Sequence, residues 1–513
     1  MKKKLSLLAA LCTLALALSS CALLTPQSQE TTSGPVVETT RQPDEPGGDL
    51  ERFYQQDVTW SDCGLFMMQC ARIEVPLDWD NPAGDVIELA LTRVQSSSAD
   101  RIGSIVLNPG GPGASGIDLP IYFTMGMGTA ELANAYDYVG FDPRGVGESS
   151  AVYCYDDAEM DRLMLEDFDA SDDDELAYAL QQTVDYGQAC LEGTGELLAN
   201  VDTQSAARDL DVIRAILGER QLNYLGFSYG TLLGATYANL YPERVGRMVL
   251  DGAIDPTLTA DESARDQVLG FEQALRSFVE DCQTSARCVL TGDVDEGMAQ
   301  IAQLINDAGV SPLPSGTDTA VNSTVALYGV FGALYSQYTW AELRTALDQA
   351  ISDRDGSGLM LLANSYLGRS DGGFYDSNMF QAFRAINCLD ERQSDAIADM
   401  RAESVELQEL APVFGQFFGY GGTSCHQWPA PLVDPITDWS AAGSGPILVV
   451  GTTGDPATPY SGAVALADTL ESGVLLTYEG EGHTAYGSAN ECLHSAVDDY
   501  LIRGTLPTGD ATC

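Results

Sequence analysis

Short apolar runs that exit into glycine-rich turns recur along the first half of the chain and again near its end. Ile73 to Leu77 and Val86 to Val94 are rich in β-branched residues and flank the turn cluster Asp80-Asn81-Pro82-Ala83-Gly84, which predicts a hairpin. Ile105-Val106-Leu107 predicts a short buried strand exiting into Asn108-Pro109-Gly110-Gly111-Pro112-Gly113. Tyr136 to Phe141 predicts a second, exiting into Asp142-Pro143-Arg144-Gly145-Val146-Gly147. From Ala206 to Leu217, apolar residues at helical spacing (Leu210, Val212, Ile213, Ile216, Leu217) precede Gly218 as a stop. Leu222 to Leu225 then leads into Gly226-Phe227-Ser228-Tyr229-Gly230, a helix follows to Tyr241, and Met248-Val249-Leu250 leads to Asp251-Gly252. Strand, helix and strand in repetition predict an α/β fold, a mostly parallel sheet with helices on both faces.

The rhythm breaks from about 257 to 435. Helical patterns fill this stretch, at Val268 to Cys282, Val294 to Ala308, Thr339 to Ile351 and Ser394 to Leu410, with no buried strand among them. An all-helical insertion between two halves of an α/β sheet is most simply a cap over the carboxyl edge of the strands. The strand pattern resumes at Ile447-Leu448-Val449-Val450, which exits into Gly451-Thr452-Thr453-Gly454-Asp455-Pro456. A helix from about Ser461 to Thr469, a strand from Val474 to Tyr478 exiting into Gly480-Glu481-Gly482-His483, and a helix from Asn490 to Ile502 close the chain. The expected organisation is a signal peptide over 1–20, a flexible tether over 21–55, a first half-core over 56–256, a cap over 257–435 and a second half-core over 436–513.

Composition adds the compartment. Lys2, Lys3 and Lys4 precede an apolar stretch from Leu5 to Leu18 that is too short to span a bilayer, and Leu18-Ser19-Ser20-Cys21 closes it, as in an export signal. A cysteine directly after small residues resembles the bacterial lipobox, in which Cys21 would be lipidated and hold the protein at a membrane surface. Residues 22 to about 49 are rich in Thr, Pro, Gln, Ser, Glu and Gly, a composition that cannot bury a core. The 513 residues carry a net charge of −50, and all three lysines lie in the signal, leaving 22 Arg against 75 acidic residues, or −53. Such a surface repels nucleic acid and anionic headgroups, and favours cationic ligands such as a free amino terminus. Of 12 cysteines, ten remain after Cys12 and Cys21, an even number that points to disulfides in an exported chain. Near neighbours suggest Cys63 with Cys70, Cys154 with Cys190, Cys282 with Cys288, Cys388 with Cys425, and Cys492 with Cys513. With three histidines and no C-x-x-C, nothing calls for a metal or cofactor.

The candidate chemistry lies at the strand exits. A G-x-S-x-G between a strand and a helix is a nucleophile elbow, but alone it is a weak signal. A serine hydroxyl becomes a nucleophile only when an imidazole takes its proton and a carboxylate holds that imidazole in the right tautomer. Ser228, Asp455 and His483 supply the three groups in the order Ser, Asp, His, that of α/β-hydrolases. His426 lies in the cap and His494 in the closing helix; only His483 follows a strand. Asp251 is a rival carboxylate one strand early. Asp455 is preferred because one helix and one strand separate it from His483. An oxyanion hole needs backbone N–H donors, expected from Tyr229 and from the 108–113 loop. Pro109 and Pro112 have none, so Gly110, Gly111 or Gly113 must donate, and Gly111 is the choice.

These motifs, with Leu250-Asp251-Gly252, Gly454-Asp455-Pro456-Ala457-Thr458-Pro459, Val75-Pro76-Leu77-Asp78-Trp79-Asp80 and Ala385-Ile386-Asn387-Cys388, resemble exported tripeptidyl aminopeptidases, a group related to the proline iminopeptidases among the α/β-hydrolases. The resemblance runs from about residue 58 to the C-terminus. It implies a serine exopeptidase that releases short peptides from free N-termini, with the cap binding the substrate's ammonium group. Asp390 and Glu391 are the candidate carboxylates for that contact. Pro109 stands where the loop of proline iminopeptidases usually begins with His, a change that leaves backbone donors intact. An ester hydrolase on the same fold and a non-catalytic surface binding protein are the competing readings.

Overall fold

The computed structural model describes residues 36–38, 46–64, 67–509 and 511–513, and the backbone alone for 36–38. The expected signal peptide and Cys21 lie outside the described residues. Eleven strands among these residues form the sheet: β1 Val36–Glu38, β2 Val58–Asp62, β3 Gln69–Pro76, β4 Val86–Val94, β5 Gly103–Asn108, β6 Tyr136–Phe141, β7 Leu222–Phe227, β8 Val245–Asp251, β9 Ile447–Gly454, β10 Gly473–Glu481 and β11 Ala511–Thr512. Their spatial order is β1-β2-β3-β4-β6-β5-β7-β8-β9-β10-β11. Pairing is antiparallel from β1 to β6 and parallel from β6 through β5 to β11.

The central strands are apolar runs because both faces are covered. Along β5, Val106 enters one core cluster while Ile105 and Leu107 enter another; β8 divides Met248 and Leu250 from Val249 in the same way. Successive side chains of a strand point to opposite faces, so a sheet with two cores needs unbroken hydrophobicity. Helices Thr203–Ile216 and Tyr229–Leu240 cover the first face, and Glu491–Asp498 the second.

β8 and β9 pair directly, Met248 opposite Ile447 and Asp251 opposite Val450, although the whole insertion separates them. Within it, helices Ala260–Thr284, Val294–Val310, Ser323–Ala333, Trp340–Asp348 and Ser357–Leu367 share a core of their own, with Phe271, Phe278, Phe331 and Phe414 at its centre. The helix Met379–Asp390 differs. Its Ala382, Ala385, Ile386, Cys388 and Leu389 belong to the core cluster of the sheet. Asn378, at its start, donates to Gly145 O and Val152 O and accepts from Gly147 N–H, so this helix is bolted to the α/β body.

One boundary needs correction. The tether does not extend to residue 55, because Gly48–Leu50 and Glu51–Tyr54 are helical and Phe53 and Tyr54 are buried. Tyr54 Oη donates to Asp211 at 2.8 Å. The Pro- and Gly-rich composition ahead of these residues masked a short helix that is anchored by two aromatic rings. The disulfides are Cys63–Cys70, Cys154–Cys190, Cys282–Cys288, Cys388–Cys425 and Cys492–Cys513, the pairing expected from the sequence.

Candidate active site

β7, β8, β9 and β10 are neighbours, and their carboxyl ends carry Ser228, Asp251, Asp455 and His483. Ser228 sits between β7 and helix Tyr229–Leu240 at φ 56°, ψ −125°, a conformation that non-glycine residues rarely adopt. A Cβ at Gly226 would lie 2.4 Å from Gly230 O, and one at Gly230 would lie 2.8 Å from Asn108 Oδ1. Both flanking glycines are therefore required by the closeness of strand, helix and the 108–113 loop. The Ser228 N–H donates to Asp251 O at 2.9 Å, tying the turn to β8.

His483 Nδ1 lies 2.9 and 3.1 Å from the two oxygens of Asp455. A carboxylate only accepts, so Nδ1 carries the proton and Nε2 is left as a base. Asp455 is itself buried and held: it accepts from the N–H groups of Ala457 (3.0 Å), Thr458 (2.9 Å) and Thr484 (3.0 Å), and from Thr458 Oγ1 (3.0 Å). Burial opposes a charge on His483, but the Asp455 charge and hydrogen bond, with Asp251 behind them, outweigh it and hold the imidazole above its ordinary pKa. From the insertion, Tyr335 O accepts from His483 N–H at 2.8 Å, and the Tyr335 ring meets the imidazole edge-on, centroids 5.4 Å apart. The other two histidines are engaged elsewhere: His426 with Asp395 at 2.8 Å, and His494 accepting from Gly487 N–H at 3.1 Å.

The 108–113 loop lies against the nucleophile. A Cβ on Gly110 would meet Phe227 O at 2.5 Å, Ser228 Cβ at 2.9 Å and Tyr229 N at 3.1 Å. Gly110, Gly111 and Gly113 all have positive φ. The Gly110 N–H donates to Asn108 Oδ1 at 3.0 Å, which removes it from the donors considered and leaves Gly111 and Gly113. Tyr229 supplies the first N–H of its helix, an end where amide hydrogens have no intrahelical acceptor and the helix dipole favours negative charge. Neighbouring strand exits thus carry a hydroxyl on Ser228, an imidazole whose Nδ1 is held by Asp455, and backbone N–H groups at Tyr229 and in the 108–113 loop.

Asp390 and Glu391 end the bolted helix Met379–Asp390, and the structure separates their surroundings. Asp390 accepts from Thr203 N–H at 2.9 Å and from Thr203 Oγ1, which lies 2.6 Å from Tyr229 Oη. Burial pushes its carboxyl up to about 7, against the Thr203 donors and with Asp202 and Glu391 adding repulsion. Glu391 is exposed, with Asp261 and Glu262 as acidic neighbours. Sequence reasoning missed Thr203 and Thr458. Neither motif spacing nor periodicity marks a hydroxyl whose partner is distant in the chain or whose turn is not yet built.

A family model described as TAP-like protein matches residues 411–513, the segment holding Asp455 and His483. The serine protease Hip1 of Mycobacterium tuberculosis is 37% identical over 484 residues, covering 89% of this chain and 91% of the relative. Carboxylesterase B of the same species is 35% identical over 472 residues, covering 89% of each. The tripeptidyl aminopeptidase of Streptomyces lividans is 31% identical over 467 residues, covering 89% of this chain and 86% of that enzyme.

Proposed function

Since this chain belongs to the TAP-like family of α/β-hydrolases, we propose that it is an exported serine exopeptidase that releases short peptides, tripeptides by preference, from free N-termini. In this reading His483 Nε2 takes the Ser228 proton as Oγ attacks the scissile carbonyl. Asp455 stabilises the imidazolium through Nδ1–H, and the N–H groups of Tyr229 and Gly111 receive the oxyanion. The imidazolium then gives its proton to the leaving amine, and water repeats the sequence on the acyl-enzyme. The observation that carries the hydrolytic part is the Asp455–His483 pair at strand exits beside the elbow.

The choice of a free amino terminus is supported by the acidic surface and by the exposed Glu391 with its acidic neighbours, and less by Asp390, whose oxygens are occupied by Thr203. Five disulfides support export, because such bonds persist in oxidising compartments. We place the mature N-terminus at a lipidated Cys21, which would make the lipid the contact with the membrane; no helix among the described residues is long and apolar enough to cross one. A carboxylic-ester hydrolase is the second reading, favoured by the relative named Carboxylesterase B.

The test compares the mature protein on a tripeptidyl anilide, its N-acetylated form and a p-nitrophenyl ester. Cleavage of the free anilide with rejection of the blocked one is expected. Ester cleavage alone, or equal cleavage of both anilides, would establish the second reading or an endopeptidase instead. Ser228→Ala should abolish turnover and fluorophosphonate labelling with folding intact; a tenth of wild-type activity would refute the assignment.

A further inference from the structure

Among the adjacent strands β7 to β10, one exit carries no member of the triad. β8 ends in Leu250-Asp251-Gly252, and Asp251 is fully buried, facing the loop that carries His483. Its carboxylate accepts from Ala485 N–H at 3.0 and 3.1 Å and from Tyr486 N–H at 2.6 Å. Its carbonyl accepts from Ser228 N–H at 2.9 Å. A Cβ on the next residue, Gly252, would lie 2.8 Å from Thr484 Cγ2, 3.0 Å from Thr458 Oγ1 and 3.5 Å from Asp455 Oδ2, so the β8 exit is packed against the acid side of the triad.

Two aspartates from adjacent strands thus divide the histidine loop. Asp455 holds His483 Nδ1 and Thr484 N–H, and Asp251 holds the next two amides. Between them Thr484 has φ 63°, a left-handed conformation that is costly for a β-branched residue. A backbone state of this kind persists only where its surroundings over-determine it, and the two carboxylates do so.

We propose that Asp251 is a positioning residue of the hydrolytic site, its carboxylate fixing the 483–486 loop and its carbonyl fixing Ser228, so that one residue sets the register between histidine and nucleophile. This inference rests on the serine hydrolase reading above. The charged and titratable groups facing His483 are Asp455 from the β9 exit, Asp251 from the β8 exit, and Tyr335 from the insertion. Asp251 therefore places a second negative charge behind the imidazole. Burial pushes its own carboxyl up to about 7, opposed by the Tyr486 and Ala485 amides, which couples its titration to the range in which His483 works.

Asp251→Asn tests this. The amide keeps the volume but, even with its oxygen in the Oδ2 position, turns an N–H toward the Ala485 N–H, and it removes the charge. Turnover is measured per active site titrated with fluorophosphonate, so unfolded protein does not count. The expected result is a kcat about 10- to 100-fold lower with KM little changed, a smaller effect than loss of the orienting carboxylate itself. The apparent pKa on the acid limb of kcat/KM should fall by about half a unit or more, because removing a nearby negative charge disfavours the imidazolium. Asp137→Asn is the control: Asp137 is also buried but lies near the start of β6, at the opposite edge of the sheet, and pairs with Arg101. It should lower stability and leave both kcat and the pH profile alone. Wild-type kcat and pH profile in Asp251→Asn, whatever its stability, would overturn the proposal. If Asp251→Asn does not fold, Asp251→Glu decides: the charge remains but is displaced, so kcat should fall while the pH midpoint stays, and an unchanged kcat would overturn the proposal. A wild-type protein that neither hydrolyses nor labels is the separate failure of the hydrolase reading, and removes the premise.

Discussion

Thr203→Val, a nearly isosteric change, should be among the more damaging single substitutions outside the triad. Thr203 is buried, and its hydroxyl proton goes to Asp390 Oδ2. Tyr229 Oη, 2.6 Å from Thr203 Oγ1, must therefore be the donor in that contact. Removing the hydroxyl deletes one hydrogen bond to a charged group, worth about 1.5–3 kcal/mol, and one neutral bond, worth about 1 kcal/mol. It also leaves the buried Tyr229 hydroxyl without an acceptor. The expected loss is about 3 kcal/mol, against about 1 kcal/mol for Tyr229→Phe, in which Thr203 keeps Asp390. The double variant should be no less stable than Thr203→Val, since it removes the orphaned hydroxyl. That non-additivity is the signature of one connected network. The assay is denaturant unfolding with disulfides intact at pH 8, above the value of about 7 for Asp390, comparing midpoints at constant slope. A Thr203→Val effect below about 0.5 kcal/mol, or additive single effects, would refute the network.

Two further outcomes follow from the same geometry. Gly110→Ala should cut turnover per folded molecule by about 100-fold or more, because its Cβ would sit 2.5 Å from Phe227 O and 2.9 Å from Ser228 Cβ at φ 96°, displacing the oxyanion loop. Near-wild-type kcat would show that the loop does not serve the nucleophile. Thermal stability should be higher at pH 5 than at pH 8. Asp251 and Asp390, raised by burial to about 7, bind protons in the native state that the unfolded chain has already released, so their contribution falls as pH rises from about 4 to 7. His483, held above its ordinary pKa despite burial, adds stability that is present below about 6.5 and lost as pH passes its folded value. A melting temperature equal at the two pH values, or higher at pH 8, would contradict these signs.

The sheet, the strand-to-helix turn at Ser228 and the Asp455–His483 pair were legible because each rests on local chemistry. A strand buried on both faces must be an apolar run, and an elbow must have glycines where strand and helix meet. The order of Ser228, Asp455 and His483 then mirrors the order of neighbouring strands. What was hidden depends on which surfaces meet. The helix Met379–Asp390 was not among the helices expected in the insertion, and nothing in its period shows that Ala382 and Ile386 face the sheet rather than the cap. Asp390 reads as a candidate for the substrate's ammonium group until Thr203, far away in sequence, is placed beside it. Asp251 was read only as a rival to Asp455, since competition for one imidazole is visible in a motif and a shared loop is not. The tether was drawn too long because composition averages over residues, and two rings, Phe53 and Tyr54, are enough to anchor a turn of helix.

The five disulfides have one property with consequences for how the chain is made. They span 7, 36, 6, 37 and 21 residues, and each cysteine is joined to the next one along the chain. For a polypeptide emerging from its N-terminus, the correct partner is therefore also the first to arrive, and a thiol that reacts early reacts rightly. None of these bonds spans the interval from Asp251 to Ile447, across which β8 must find β9. Closing so long an interval costs only slightly more than closing a short one, about 0.6 kcal/mol for each doubling of length. The matched ladder from Met248 opposite Ile447 to Asp251 opposite Val450 closes it without a covalent stitch. Oxidation thus fastens the parts of the molecule, while the alignment of its two halves is left to non-covalent contacts, the β8–β9 ladder and the hydrogen bonds of Asp251 among them.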